Sequence, residues 1–280
     1  MSDTAHHALD QFKLDGRVVI VTGGAGLLGE QYVWALAQAG AHAVAADLDC
    51  TRAEQLADAV SAQTGVKALG IQVDVADPAS VSNLMQATLA TFGRVDGLVN
   101  NAAIDPKFDS TSSAQHTATF ENYPLTLWNQ SLAVNVTGMF LCAQAVAPTM
   151  LAQKSGVIVN VASTYGIVGP DQRLYERDDP GSPRTFKPVA YSVTKSAILG
   201  LTRYLAAYWA EQGIRVNTLT PGGVFNDHDD EFVRRYSART ILGRMAEKSE
   251  YTGALLFLLS DASSYMTGSN LIVDGGWTAW

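Results

Sequence analysis

At 280 residues, with 47% hydrophobic and only 16% charged side chains, the chain has apolar material for a large core and too little charge for a disordered polymer. Its net charge of -8 excludes the basic footprint that counterion release on nucleic acid requires. Cys50 and Cys142 are its two cysteines, without a CxxC pair, so neither a disulfide framework nor a zinc site has support and no metal is expected.

Residues 1–15 read as a polar leader, His6 and His7 included, without a charged segment ahead of an apolar one. No apolar run has the length to cross a bilayer, so a membrane is not an expected partner and the cytoplasm is the expected compartment. From residue 16 to 280 apolar, β-rich runs recur: Val18 to Val21, Ala43 to Ala46, Ala68 to Val73, Leu98 to Val99, Val157 to Val161, Val216 to Leu219 and Leu271 to Val273. They are continuous rather than alternating, the pattern of strands covered on both faces. Helical stretches separate them. Glu30 to Ala39 ends at Gly40; Asp77-Pro78 supplies an N-cap and a first-turn proline, and Val81, Leu84, Met85, Thr88, Leu89 and Phe92 then share one helix face. Strand and helix alternate with no linker between them. The expected fold is α/β, one doubly wound, Rossmann-like parallel sheet forming a single domain. Two stretches break the rhythm, 104–124 and 164–188, the latter holding four of the nine prolines. Both follow strands at their carboxyl ends, where such sheets keep their ligand crevice, so both are expected to face substrate.

The first strand runs into Thr22-Gly23-Gly24-Ala25-Gly26-Leu27-Leu28-Gly29 and then a helix. Glycines at such a turn let the backbone approach a pyrophosphate whose charge rests on the helix N-terminus. Asp47 closes the second strand 18 residues beyond Gly29, close to the expected place of the acid that accepts ribose hydroxyls and repels a 2′-phosphate. A dinucleotide is the expected ligand, and NAD its expected form; Arg52 is the one cation nearby that opposes this choice.

The turn Thr22 to Gly29, Asn100-Asn101-Ala102-Ala103, Ser163, Tyr191-Ser-Val-Thr-Lys195, Pro221-Gly222 and Asp274-Gly275-Gly276 together resemble the single-domain branch of the short-chain dehydrogenase/reductase family, over nearly the whole chain. The family's turn is Thr-Gly-x-x-x-Gly-x-Gly; here Leu27 stands at the middle glycine and Gly26 one place early. The resemblance implies a cofactor site of Gly23, Gly26, Leu27, Leu28, Gly29, Asp47 and Leu48, with Asp74 and Val75 beside the adenine and Asn101, Ala102 and Ala103 behind the fourth strand. It also implies that Pro221 to Val224 meet the carboxamide, with Asn226 where a threonine is common, and that Tyr191 and Lys195 touch the cofactor as well.

Moving hydride between an alcohol and a nicotinamide needs a group that takes or gives the hydroxyl proton. Tyr191 suits this task if its pKa falls by roughly 2 to 3 units from the reference value near 10. Lys195, four residues on and on the same helix face, is the expected source of that fall. Ser163 follows the fifth strand and is expected to hydrogen-bond the substrate oxygen. Asn135 matches the family's helix asparagine, which holds a water relaying protons to the lysine.

Ser163 and Tyr191 lie 28 positions apart, more than the family's usual spacing, which marks an insertion. It carries Arg173, Tyr175, Arg177 and Arg184, and arginine is the side chain best shaped for carboxylate or phosphate. Tyr165, Arg173 and Arg177 join Ser163 as candidate substrate contacts, with a solvated loop as the competing reading. The insertion, Ser163 to Pro170 and the ending Val273 to Trp277 are similar to a subgroup in bacterial sugar metabolism, including flagellin-glycan and nonulosonate-type pathways. That likeness implies a small-molecule sugar or sugar-acid substrate, and the family implies a homo-oligomer, most often a tetramer. Two other classes stay open: a non-catalytic NAD-sensing or scaffold protein on the same fold, and a sugar epimerase or dehydratase, whose longer C-terminal domain has little room before Trp280.

Overall fold

Seven short strands apolar on both sides can be buried only as a sheet sandwiched between helices. The computed structural model, which describes residues 8–105, 119–176 and 185–280, has that form. Strand β1 (Val18–Thr22) leads through helix α1 (Gly29–Gln38) to β2 (His42–Asp47), and α2 (Cys50–Thr64) leads to β3 (Ala68–Gln72). Helix α3 (Pro78–Phe92) crosses back to β4 (Gly97–Asn100), and α4 (Leu125–Leu132) and α5 (Gly138–Gln153) lead to β5 (Gly156–Val161). Helix α6 (Val189–Tyr208) joins β5 to β6 (Ile214–Pro221), and α7 (Asp230–Ser237) and α8 (Thr252–Leu259) precede β7 (Asn270–Val273). All pairings are parallel, in the order β3-β2-β1-β4-β5-β6-β7. The chain reverses direction across the sheet between β1 and β4, and the crevice of such a fold opens there, at the strands' carboxyl ends.

The two faces of the sheet make two cores. Val19, Val21, Ala43, Ala45, Val99 and Val159 pack under Tyr32, Val33 and Leu36 of α1 and Leu255, Leu258 and Leu259 of α8. Val18, Ile20, Val44, Leu98, Ile158 and Val216 face Val81, Leu84 and Met85 of α3, Cys142 and Val146 of α5, and Leu205 of α6. Alternate residues thus enter opposite cores. The N-terminus of α3 forms as its sequence suggests: the Asp77 carboxylate accepts from the Ala79 and Ser80 amides at 3.0 and 3.3 Å, with Pro78 in the first turn.

Three expectations change. The leader is shorter than residues 1–15, because Leu14 is fully buried and its amide donates to Ala39 O at 2.9 Å; His6 and His7 lie outside the described residues. One helical stretch, Leu125–Gln153, is long and apolar enough to cross a bilayer by length and composition. Part of that apolarity faces inward: Met139, Cys142, Ala143, Val146 and Met150 are buried, and four of them, Cys142, Ala143, Val146 and Met150, belong to the core on that face of the sheet. The stretch 164–188 is not a plain loop, since one-turn helices form at Thr164–Gly166 and Gln172–Tyr175.

Candidate functional site

A cleft of about 630 Å³ opens along the carboxyl ends of the strands, within the usual range for small-molecule sites. On its cofactor side the turn after β1 is folded on itself. Gly23 has φ +62°, and a Cβ there would stand 2.9 Å from Ala102 Cα; one on Gly29 would stand 2.0 Å from Gly23 O. These two positions need glycine. Leu27 is not among the positive-φ residues, so its place in the turn accepts a side chain, which explains how the departure at the middle glycine is tolerated. Leu28 gives the start of α1 no side-chain cap, so a bound anion has first-turn donors to meet.

Polar side chains fix this turn to its neighbours. Asn101 Nδ2 donates to Thr22 O and Gly23 O at 3.0 and 3.1 Å, and Thr22 Oγ1 accepts from the Asn101 and Ala102 amides at 3.1 Å. Asp47 accepts from the Ala25 amide at 2.9 Å and the Asp49 amide at 3.1 Å. Its carboxylate is therefore held at the edge of the turn. Arg52 Nη2 donates to Ala25 O at 2.6 Å. Gly23, Gly26, Leu27, Leu28, Asp47, Leu48, Asp74, Val75, Asn101, Ala102, Ala103, Pro221 and Val224 all line the cleft; Gly29 acts from behind, as the close contact that lets α1 begin. A turn closed by glycines, a helix start and a fixed carboxylate suit a dinucleotide.

At the other end the cleft meets α6. Lys195 is 3% exposed, and its Nζ donates to Val161 O at 2.9 Å while lying 5.9 Å from the Tyr191 ring centre. Burial is the first cause that pulls Lys195 down to about 8, with Lys187 adding to the pull and Asp105 opposing it. Ser163 begins the one-turn helix and is buried beside the phenol. That turn packs directly on α6: a Cβ on Gly166 would stand 2.7 Å from Lys195 O, and Ser196 Oγ donates to Gly166 O at 2.9 Å. Ser163, Tyr191 and Lys195 are thereby brought to one wall.

Two details differ from expectation. The protein's own groups do not lower Tyr191. Burial, then the Asp105 carboxylate, push the phenol upward, and only the neighbouring Ser163 hydroxyl pulls it back. Asn135, fully buried in a π-helical turn between α4 and α5, is not part of the lining. Its Oδ1 accepts from Ile104 N at 2.8 Å, and its Nδ2 donates to Ile104 O at 3.0 Å and Thr194 Oγ1 at 3.1 Å. It braces the segment after β4 against α6.

The substrate side is largely aromatic. Tyr165, Tyr175, Phe232 and Tyr236 line it with His228 and Met245. Tyr175 donates to the Tyr165 hydroxyl at 3.2 Å, and Trp277 stacks on Tyr236 at 4.3 Å. Burial pushes Tyr165 up to about 12. Arg173, expected here, is elsewhere: its guanidinium grips Asp171 at 2.8 and 2.7 Å with its side chain 74% exposed. An adjacent carboxylate has satisfied it in solvent, which removes it as a cleft contact. Arg177 and Arg184 lie outside the described residues.

The sequence reading missed Asp105 and Lys187, which line the cleft as an ion pair. Lys187 stands 4.1 Å from the Tyr191 ring centre. Phe232 and Tyr236 were missed as well, since α7 carries no motif.

Residues 17–175 match the family model described as short chain dehydrogenase, and residues 183–278 match that of an Enoyl-(Acyl carrier protein) reductase. D-threitol dehydrogenase of Mycolicibacterium smegmatis is 37% identical over 272 residues, 95% of each chain. A 2,5-dichloro-2,5-cyclohexadiene-1,4-diol dehydrogenase of Sphingobium indicum is 35% identical, over 95% of this chain and 98% of that one. A solved gluconate 5-dehydrogenase from Burkholderia cenocepacia, in complex with NADP and tartrate, superposes with a TM-score of 0.85 at 32% identity, covering 98% of this chain and all of that one.

Lys195 allows a direct test of the site's strain. Its pKa in the folded chain, about 8, lies below the ordinary lysine value of 10.5, so folding works against the ammonium. The penalty is complete below pH 8, shrinks as the folded group sheds its proton, and is gone above about 10.5. Lys195→Met is expected to raise unfolding stability at pH 7, by up to roughly 3 kcal/mol. That advantage should fade as pH rises from 8 to 10.5. Denaturant unfolding of both proteins across this range checks it; a variant less stable at pH 7 contradicts it.

Proposed function

This chain belongs to the short-chain dehydrogenase/reductase family, and from that premise we propose that it is an NAD(H)-dependent oxidoreductase of a sugar or sugar-acid type substrate. Its reaction class, hydride exchange at a CH–OH group, is that of its named relatives. The observation that carries the choice of NAD is the Asp47 carboxylate, held by two amides at the end of β2. A fixed anion there accepts ribose hydroxyls and repels a 2′-phosphate, and the Arg52 guanidinium is turned onto Ala25 O. The polar end of the substrate wall, with Asp105, Lys187 and two phenols, supports a substrate rich in hydroxyls, the sugar-pathway subgroup among them.

The nicotinamide, when bound, accepts or returns the hydride. The protein's part is the proton. In the alcohol-oxidising direction the Tyr191 phenolate takes the hydroxyl proton as the C–H hydride departs, and the ketone forms; in reduction the phenol returns it. Ser163 holds the reacting oxygen. Lys195, fixed on Val161 O with its ammonium 5.9 Å from the Tyr191 ring centre, is the positive charge placed to favour the phenolate during the reaction, while burial and the Asp105 carboxylate oppose it. Asn135 keeps the Ile104 segment and Thr194 in place beside them.

We also propose a homotetramer. Phe140 of α5 and Val193, Tyr204 and Tyr208 of α6 are exposed large apolar side chains, a kind of surface usually covered by a partner.

Three outcomes test this reading. Steady-state kcat/KM should favour NAD⁺ over NADP⁺ by about tenfold or more, a difference of about 1.4 kcal/mol; a preference for NADP⁺ contradicts the role of Asp47. Tyr191→Phe should lower kcat by roughly 10²- to 10⁴-fold with NADH affinity within a few-fold by fluorescence titration; near-native turnover rules out the tyrosine. Light scattering at micromolar concentration should give four times the monomer mass, and a monomer refutes the assembly.

A further inference from the structure

The segment after β4 and the segment before α6 each send one charged side chain into the cleft, and the two meet. Lys187 Nζ pairs with Asp105 Oδ2. The lysine is not a surface group that folds back by chance: its side chain is 13% exposed, and its ammonium lies 4.1 Å from the Tyr191 ring centre and 5.9 Å from that of Tyr165. Its backbone amide is held by Gln172 Oε1 at 2.8 Å. Asp105, 38% exposed, comes directly after Ile104, which Asn135 clamps through both backbone groups. Each partner is therefore fixed from its own side.

We propose that the Asp105–Lys187 pair recognises a second hydroxyl on the carbon next to the reacting one, so that the enzyme selects vicinal diols, and the matching α-hydroxy ketones, over simple alcohols. The proposal rests on the dehydrogenase reading and adds the substrate feature it selects. A hydroxyl both donates and accepts. An ammonium and a carboxylate in contact offer it both functions at once: one N–H and one oxygen are spent on each other, and two N–H groups and the second carboxylate oxygen retain capacity. The location fits an adjacent carbon. An ammonium 4.1 Å from the Tyr191 ring centre stands beside the phenol in the same cleft, so a hydroxyl it binds can sit on the carbon next to the one whose hydroxyl meets the phenol. A plain alkyl group at this place would press against two charges and offer them nothing, and sites built to hydrogen-bond a hydroxyl reject analogues lacking it. A carboxylate there would face Asp105.

The bland alternative is a staple: an ion pair that ties two segments together. The two readings diverge in one measurable ratio. A staple's loss lowers turnover of every substrate alike, whereas a lost recognition element lowers only the diol.

The experiment measures kcat/KM for butane-2,3-diol against butan-2-ol, and for trans-cyclohexane-1,2-diol against cyclohexanol, in the wild-type enzyme, Asp105→Ala, Lys187→Met and Lys187→Arg. Each pair differs by one hydroxyl. The wild type is expected to prefer the diols by about 10- to 150-fold, the worth of one hydrogen bond to a charged group. In Asp105→Ala and Lys187→Met the preference should fall to within about threefold, and Lys187→Arg, which keeps the charge, should restore part of it. A wild-type ratio near one in both pairs overturns the proposal without recourse to any variant. So does a ratio that survives in both variants while diol and alcohol decline together, which is the staple's signature. Hydride transfer without diol preference leaves the dehydrogenase reading standing and removes this inference alone; no transfer from any of the four alcohols removes both.

Discussion

Taking the Lys195 ammonium out of water costs several kcal/mol before any partner is found, and its direct hydrogen-bond partner is the carbonyl of Val161 at the end of β5. Such a group stays buried only if the helix that carries it has no freedom to move. Helix α6 is held by a polar chain that runs through the core. Asn100 Nδ2 donates to Asn160 Oδ1 at 2.9 Å, Asn160 Nδ2 donates to Thr202 Oγ1 at 2.9 Å, and Thr218 Oγ1 donates to Thr202 Oγ1 at 2.7 Å. All four of these side chains are buried, so each bond's loss would leave an unpaired group. Strands β4, β5 and β6 are thereby fastened to the helix bearing Tyr191 and Lys195. The folded state gives up stability at one lysine and recovers positional certainty at a tyrosine.

The same sheet fixes the cofactor half by simpler means. Parallel strands end together, so the turns after β1, β2 and β4 converge where the chain changes direction. Backbone groups and short side chains suffice to bind them: Thr22 reaches Ala102, Asn101 reaches Gly23, and Asp47 reaches Ala25. Little in this half depends on long side chains. Its geometry follows from register, which is why a leucine at position 27 leaves the turn intact while a side chain at Gly29 would collide with it.

This contrast explains what could be read in advance. The strands, the glycine turn and helix α3 announce themselves through apolar continuity, close backbone approach and capping, which are local properties of the chain. Tyr191, Lys195 and Ser163 fall at one wall because their elements are fixed by the sheet. Helix α2 has a weak signal, with only Ala53, Ala57 and Val60 buried; α8 is apolar all round and shows no periodic face that identifies a helix, and α7 spans only eight residues, too short a stretch to stand out in the sequence. Asp105 and Lys187 are distant in sequence, and no spacing rule pairs them. Arg173 departs from its expected place for the opposite reason. Its chemistry suits an anion, but Asp171, two residues away, supplies one first.

The substrate wall is therefore the part of the molecule that is built from outside the sheet. Tyr165 comes from the turn after β5, Tyr175 from the insertion, Tyr236 from α7, and Trp277 from the C-terminal segment; each is held by the next rather than by a strand. Trp277 stacks on Tyr236, whose hydroxyl accepts from Gly223 N at 2.5 Å, and Arg235 Nη1 donates to Arg173 O and Glu176 O at 2.7 and 2.6 Å. A change in any of these segments is transmitted to the wall but stops at the sheet, because the sheet is fastened by its own register and by the Asn160 chain. Substrate choice can vary in such an arrangement while hydride geometry does not, and the boundary between the two runs along Tyr191, which touches Lys187 on one side and answers to Lys195 on the other.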